Sequence, residues 1–208
     1  MLSFFNRYLH RIYRRRIIVM SYFNEDHYLV RRKILKLVGG AFHIYDKNEQ
    51  VVAYSKLKAF KLKEDIRIYT GEDMQQEIFR IHARNIIDFG ATYDVIDSAT
   101  ETKLGALRRK GFQSMIKDEW TIMDTNDNEI GLIQEDSMAL ALIRRFVCNL
   151  IPQNYDCSIN GQLECRFKQN FNPFVMKIGV NFTNANQVNR YLTMAGAVLL
   201  CAIEGKQE

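Results

Sequence analysis

The stretch from Tyr191 to Ile203 leaves few folds open. It runs for thirteen uncharged residues between Arg190 and Glu204. Its apolar members, among them Met194, Ala195, Ala197, Val198, Leu199, Leu200 and Ala202, fall on every side of a helix. A helix apolar all round has to be buried, in lipid or in protein. Thirteen residues rise roughly 20 Å as a helix, against a hydrocarbon core of about 30 Å, so the segment is too short to span. Asn184 or Asn186 offers a side-chain oxygen to cap the first turn, and Gly205 suits the left-handed closing position. The sequence therefore predicts a helix over about 186–204, enclosed by the rest of the chain.

The rest of the chain reads as strands. Four segments share one form, an apolar-aromatic strand ending in Asp or Asn, a polar turn, and a second alternating strand. They run from Phe42 to Asp46 into Val51 to Tyr54, and from Tyr93 to Asp97 into Leu104 to Leu107. The other two run from Trp120 to Asp124 into Ile130 to Ile133, and from Tyr155 to Asn160 into Leu163 to Phe167. Asp and Asn suit the turn because their side chains hydrogen-bond the backbone that follows. Further strand-like runs at 28–37, 65–69, 77–84 and 174–182 bring the count to about twelve. No βαβ alternation appears, which predicts an antiparallel sheet. A sheet of that length closes on itself to remove its edges. The expected fold is mainly β, a closed antiparallel barrel of about twelve strands around a buried C-terminal helix. One interruption, from Met138 to Ile151 between Ser137 and Pro152, reads as a short connecting helix.

Charge divides the chain in two. Residues 1–20 hold Arg7, Arg11, Arg14, Arg15 and Arg16 and no acidic residue, which accounts for the whole net charge of +5. Residues 21–208 then carry 24 basic and 24 acidic side chains. The expected organisation is a tail, 1–20, and one barrel domain, 21–208. Leu2, Phe5, Leu9, Ile12 and Tyr13 recur at helical spacing in the tail, a pattern that suits an anionic bilayer surface. A disordered extension or a start at Met20 is the plainer reading of the segment, which also imitates an organelle-targeting peptide though it is short of serine. A neutral body disfavours nucleic acid as a partner.

The four cysteines show no CxxC and no Cys/His cluster, so no zinc site is expected. If Asn160-Gly161 is a two-residue hairpin loop, Cys157 faces Glu164 and Cys165 faces Asp156. The two sulfurs then point to opposite faces of the sheet. Reduced thiols and a cytoplasmic setting follow. The run from Asp124 to Asn128 imitates a calcium loop, but Glu129 stands where the sharp-turn glycine is needed and the flanks are strands; a hairpin turn is the better account. Ser98 and Ser114 lack the setting of a nucleophile, and no glycine loop cradles phosphate. No catalytic residue, metal or cofactor is expected. The remaining basic clusters are Lys56, Lys58, Lys61 and Lys63, and Arg108, Arg109 and Lys110. With the tail arginines they are the candidates for holding anionic lipid.

Several phrases together resemble the phospholipid scramblase-related and LURP-one-related proteins of the tubby C-terminal superfamily. They are Lys58-Ala-Phe-Lys-Leu-Lys-Glu-Asp65, Ile87-Asp-Phe-Gly-Ala-Thr-Tyr-Asp-Val95, Gly105-Ala-Leu-Arg-Arg-Lys-Gly111, Asp118-Glu-Trp120, Gly131-Leu-Ile-Gln-Glu-Asp136, Asn172-Pro-Phe174 and Leu199-Leu-Cys-Ala-Ile-Glu-Gly205. The resemblance covers most of 28–206. It implies a twelve-strand barrel threaded by its last helix, with phosphoinositide binding in tubby-type members and calcium-triggered lipid movement in scramblase-type members. Here the stretch Phe182-Thr-Asn-Ala-Asn186 carries Asn where scramblase-type proteins carry carboxylates, which counts against calcium control. The functional expectation is a non-enzymatic, cytoplasmic module, peripheral at the inner membrane face, that binds anionic phospholipid. A soluble protein-interaction scaffold and phospholipid scrambling itself are the alternatives.

Overall fold

The computed structural model describes residues 22–35, 39–58, 65–84, 90–110, 119–136, 153–170, 175–183 and 186–203. The tail, the expected helix before Pro152, and Gly205 lie outside them. Twelve strands follow one another: β1 (His27–Leu35), β2 (Gly39–Tyr45), β3 (Val51–Lys58), β4 (Asp65–Tyr69), β5 (Glu77–Ala83), β6 (Thr92–Asp97), β7 (Thr102–Arg109), β8 (Glu119–Met123), β9 (Glu129–Glu135), β10 (Asn154–Ile159), β11 (Gln162–Asn170) and β12 (Lys177–Phe182). Every sequential pair is antiparallel, and β1 also pairs with β12, closing the barrel. Helix α1 (Gln187–Ile203) runs through it.

Alternation explains the wall. Strands β6, β10 and β12 alternate residue by residue between buried and half-buried positions, as a strand does with one face in a core. The buried set includes Tyr28, Val30, Phe42, Ile44, Ile66, Ile68, Val95, Ile122, Ile178 and Val180. These meet α1, where Leu192, Met194, Val198, Leu199 and Leu200 are each at most 1% exposed. The helix that sequence alone requires to be buried is buried in protein.

Five hairpins share a left-handed turn residue, and two of them repeat one Asp-led design. Asp46 Oδ1 accepts the amides of Asn48 and Gln50, both at 2.9 Å. Asp124 Oδ1 accepts those of Asn126 and Asn128 at 2.8 and 2.9 Å. In each the third residue after the aspartate is left-handed, Glu49 at φ 60° and Asp127 at φ 66°. Met74, Glu101 and Asn160 hold the same region in the other three turns. Each of the five also carries a register shift beside its turn. The stretch from Asp124 to Asn128 is a hairpin turn whose leading carboxylate is spent on its own backbone.

The shift in β10–β11 corrects the expected cysteine geometry. It lies between Cys157 and Ser158, so Cys157 pairs with Cys165 and not with Glu164. A bulge adds one residue to one strand, and that extra residue is Glu164. Both thiols consequently turn inward, as fully buried free cysteines. Glu164, turned in with them, is 6% exposed and accepts a hydrogen bond from Asn189 Nδ2 at 3.1 Å.

The helix is fastened at both ends. Asn186 Oδ1 caps the first turn by accepting the amide of Asn189 at 2.9 Å. Arg190 reaches the segment before β1, donating to the carbonyls of Phe23 and Glu25 and to Asp26. At the far end Arg32 donates to the carbonyls of Cys201 and Ala202 at 3.1 and 3.2 Å, satisfying acceptors a helix C-terminus leaves open. Phe23, Phe79 and Tyr191 close the hairpin end, edge to face at 5.5 to 6.1 Å.

Glycine is required where strands crowd. A Cβ on Gly131 would stand 2.2 Å from the carbonyl oxygen of Ser158, a backbone atom that cannot swing away. Gly131→Ala is therefore expected to cost about 3 kcal/mol, the upper part of the usual range for overpacking. In a thermal melt that lowers Tm by roughly 5–10 °C for a domain of this size; an unchanged Tm would refute the close approach of β9 and β10.

Candidate functional site

Two sides of the barrel treat charge differently. Along β4 to β9 the cations are matched. Arg67 meets Asp65 at 2.8 Å and Glu77 at 3.2 Å. Arg84 meets Asp94 at 2.7 Å, and Asp127 binds both Arg84 and Lys103 at 2.5 Å. Arg80 pairs with Glu101, Arg108 with Glu129, and Lys110 with Glu119. The pairing shows in the acids, where Arg84 and Lys103 pull Asp127 down to about 2 and Arg80 lowers Glu101.

The other side is the arc β11–β12–β1–β2–β3, contiguous because β12 pairs with β1. Its five strands contain a single acidic residue, Glu164, which the bulge has turned inward. Their outward positions carry Arg31, Lys33, Lys56, Arg166, Lys168 and Lys177. The opposite alternation is fixed by the buried Val30, Arg32, Phe167 and Ile178. Arg166 faces Asp156 of β10 at 3.4 Å, and His43 meets Glu72 at 2.8 Å. Glu25, just before β1, meets Lys47 of the β2–β3 turn at 2.7 Å, so a third carboxylate stands at one end of the arc. Within the arc Arg31, Lys33, Lys56, Lys168 and Lys177 make no ion pair with any described residue. Uncharged residues fill the intervening outward positions, Leu29 on β1, Ala41 on β2, Tyr54 on β3 and Gly179 and Asn181 on β12.

The candidates named from sequence divide between the two sides. Lys56 is exposed on the cationic wall, and Lys58 ends β3 with its backbone paired to Gly39. Arg108 and Lys110 belong to β7 and its end, four strands away, and are already ion-paired. Arg109 sits on the barrel's inward-facing side, opposite the buried Trp120. Arg7, Arg11, Arg14, Arg15, Arg16, Lys61 and Lys63 lie outside the described residues. Sequence reasoning missed Arg31, Lys33, Arg166, Lys168 and Lys177. The available signal was that three strands near the two chain ends carry cations and, apart from Glu164, no acid.

Among the described residues no group of three or more His, Cys, Asp or Glu side chains stands ready for a metal ion. The described thiols are inert for a physical reason. Burial pushes Cys157 up to about 12, and Cys165 and Cys201 up as well, and it is the thiolate that reacts. In a Cys148→Ser variant at pH 8, Ellman's reagent is expected to find no thiol until denaturant is added, then three. Prompt reaction in native buffer would contradict the buried placement.

A closed twelve-strand antiparallel barrel wrapped on its own apolar helix is the architecture of the tubby-like barrels. The family model described as LURP-one-related matches residues 51–195, from the start of β3 into the first half of α1, and the chain belongs to that family. Comparison with curated proteins and with solved structures gives no match.

Proposed function

We propose that this LURP-one-related barrel is a non-enzymatic module that docks on an anionic phospholipid surface, with the β11–β12–β1–β2–β3 wall as its contact face. One observation carries the reading: five outward cations without a carboxylate partner are gathered on one side of a body whose total charge is balanced. Unpaired like charges on one face repel one another and gain nothing for the fold, whereas a negative surface turns each into an attraction. The five tail arginines add to the same attraction. No helix among the described residues is long and apolar enough to cross a membrane, and α1 is spent as core, which favours peripheral docking over scrambling.

Vesicle co-sedimentation of the full chain tests this, with phosphatidylserine vesicles against phosphatidylcholine vesicles. The expected result is binding to the first only, weakened by reversing wall charges and, to a smaller degree, by removing residues 1–19. Absence of binding to anionic vesicles would remove the proposal and favour the protein-interaction scaffold.

A further inference from the structure

Three large hydrophobic side chains are exposed among the described residues, and all three, Val51, Met74 and Val188, stand at the hairpin end. Two of them, Val51 and Met74, border one patch on the outside of β2, β3 and β4. The alternation that buries Phe42, Ile44, Ala53 and Ile68 turns His43, Tyr45, Tyr54 and Tyr69 outward. Val51 pairs in register with Tyr45, His43 with Tyr54, and Tyr54 with Tyr69. The His43 ring lies 6.1 Å from that of Tyr45 and 5.1 Å from that of Tyr54. Its Nε2 meets Glu72 Oε1 at 2.8 Å, which draws the β4–β5 turn, and Met74 with it, up to the rings. The same carboxylate reaches Tyr54, whose phenol is held above its ordinary value by burial and then by Glu72. Acids border the patch. Turns 46–50 and 70–76 carry Asp46, Glu49, Glu72 and Asp73 against one cation, Lys47, which already meets Glu25. Tyrosines and apolar side chains left in water on one patch, bordered by charge of one sign, mark a docking surface.

We infer that this patch is the docking surface of the chain's own residues 1–20, which lie outside the described residues. The patch suits a partner that is apolar, strongly cationic and free of acids. Residues 1–20 answer to that, with Leu2, Phe5, Leu9, Ile12 and Tyr13 at helical spacing, five arginines and no carboxylate. The neighbouring surfaces fit them worse, since the cationic wall repels them and the carboxylates along β4 to β9 are already matched. Guanidinium groups fit both parts of the patch, because they pair with carboxylates and stack on tyrosine faces. The connection is short. The contact of Glu25 with Lys47 places the entry to β1 beside the β2–β3 turn, and the five residues from Ile17 to Ser21 extend to roughly 17 Å. So short a tether gives an effective concentration in the millimolar range, at which weak contacts suffice. The contact stands apart from the membrane reading. Where that reading also holds, the patch and the anionic surface compete for the same five arginines.

The test is limited trypsin digestion of the full chain in buffer without lipid, with cuts after Arg7, Arg11, Arg14, Arg15 and Arg16 followed by mass spectrometry. One variant, Glu49→Gln/Glu72→Gln/Asp73→Asn, removes charge from the patch, and a second, Val51→Ser/Met74→Ser, removes its exposed apolar groups. Each is expected to speed these cuts about tenfold. All five positions are exposed, so the melts are expected to match wild type. Glu101→Gln/Glu129→Gln/Asp136→Asn neutralises three acids on the other side of the barrel and is expected to leave the rate as it is. The wild-type rate is also expected to be the same at every protein concentration, as for a contact within one chain. Wild-type cuts as fast as those of the patch variants, or equal acceleration by the other-side acids, would overturn the contact. Protection that grows with concentration would overturn it too and make a second copy the occupant. None of these outcomes bears on peripheral docking, which vesicle binding decides separately.

Discussion

Arg190→Ala is expected to lower the stability of the barrel by about 3–5 kcal/mol, the cost of removing one partner of a buried charged network. In a thermal melt this appears as a fall in Tm of roughly 10 °C. The side chain is 9% exposed and performs several tasks at once. It donates to the carbonyls of Phe23 and Glu25 and to Asp26 Oδ1 at 3.0 Å, and its guanidinium lies 4.5 Å over the Phe182 ring. It thereby joins the first turn of α1 to the segment before β1 and to the end of β12, the two strands whose pairing closes the barrel. Arg190→Lys keeps the charge but not the planar fork, so an intermediate loss is expected. The arginine also offsets Glu164, whose carboxyl burial pushes up and Arg190 pulls back. A raised carboxyl binds more protons in the folded than in the unfolded state, so its contribution to stability falls as pH rises through that interval. Removing Arg190 raises it further, and the deficit of Arg190→Ala is therefore expected to be larger at pH 7 than at pH 4.5. A pH-independent deficit would show that the arginine acts on the carbonyls alone.

Reversing Lys33 and Lys168 to Glu in the full chain is expected to weaken binding to phosphatidylserine vesicles roughly a thousand-fold. Each basic residue near such a surface contributes about 1 kcal/mol. The two reversals change the wall by four charge units, or about 4 kcal/mol, and every 1.4 kcal/mol is a factor of ten. Both side chains are exposed and make no described ion pair, so the melt should move little. Applying the same four-unit change at Arg108 and Lys110 discriminates between the two sides of the barrel. Those cations already face Glu129 and Glu119, and the expected loss there is no more than tenfold. Equal losses from the two pairs would mean that total charge, rather than the cationic wall, governs attachment. Raising the salt should erase most of the difference, since exposed charges are screened over about 10 Å at 0.1 M.

Much of the architecture could be read before any coordinates. The strands around Phe42, Tyr93, Trp120 and Tyr155 fall where alternation and Asp- or Asn-led turns put them, because both signals are local. The cysteine register was not readable, since it depends on a bulge whose extra residue, Glu164, looks like any other position of an alternating strand. Nor was the contact face. Lys56 and the cluster at Arg108 stood out as basic clusters, while Lys177 is the lone cation of its strand, Arg166 and Lys168 are only a pair in theirs, and the run Arg31-Arg32-Lys33 is split between the two faces of β1 by the buried Arg32. A run along the chain says nothing about which strand lies beside which.

The sequence by itself determined that an all-round apolar helix must be enclosed, and that hairpins long enough in series to close would enclose it. Hydrophobic burial and turn chemistry act within a dozen residues, and a linear pattern records them in full. Only the tertiary structure decided where the charges meet. Closure pairs β1 with β12 and so lays acid-poor segments from opposite ends of the chain side by side. The same ring leaves the acids of β4 to β9 next to cations of their own neighbourhood. A body neutral in sum thereby acquires a cationic wall.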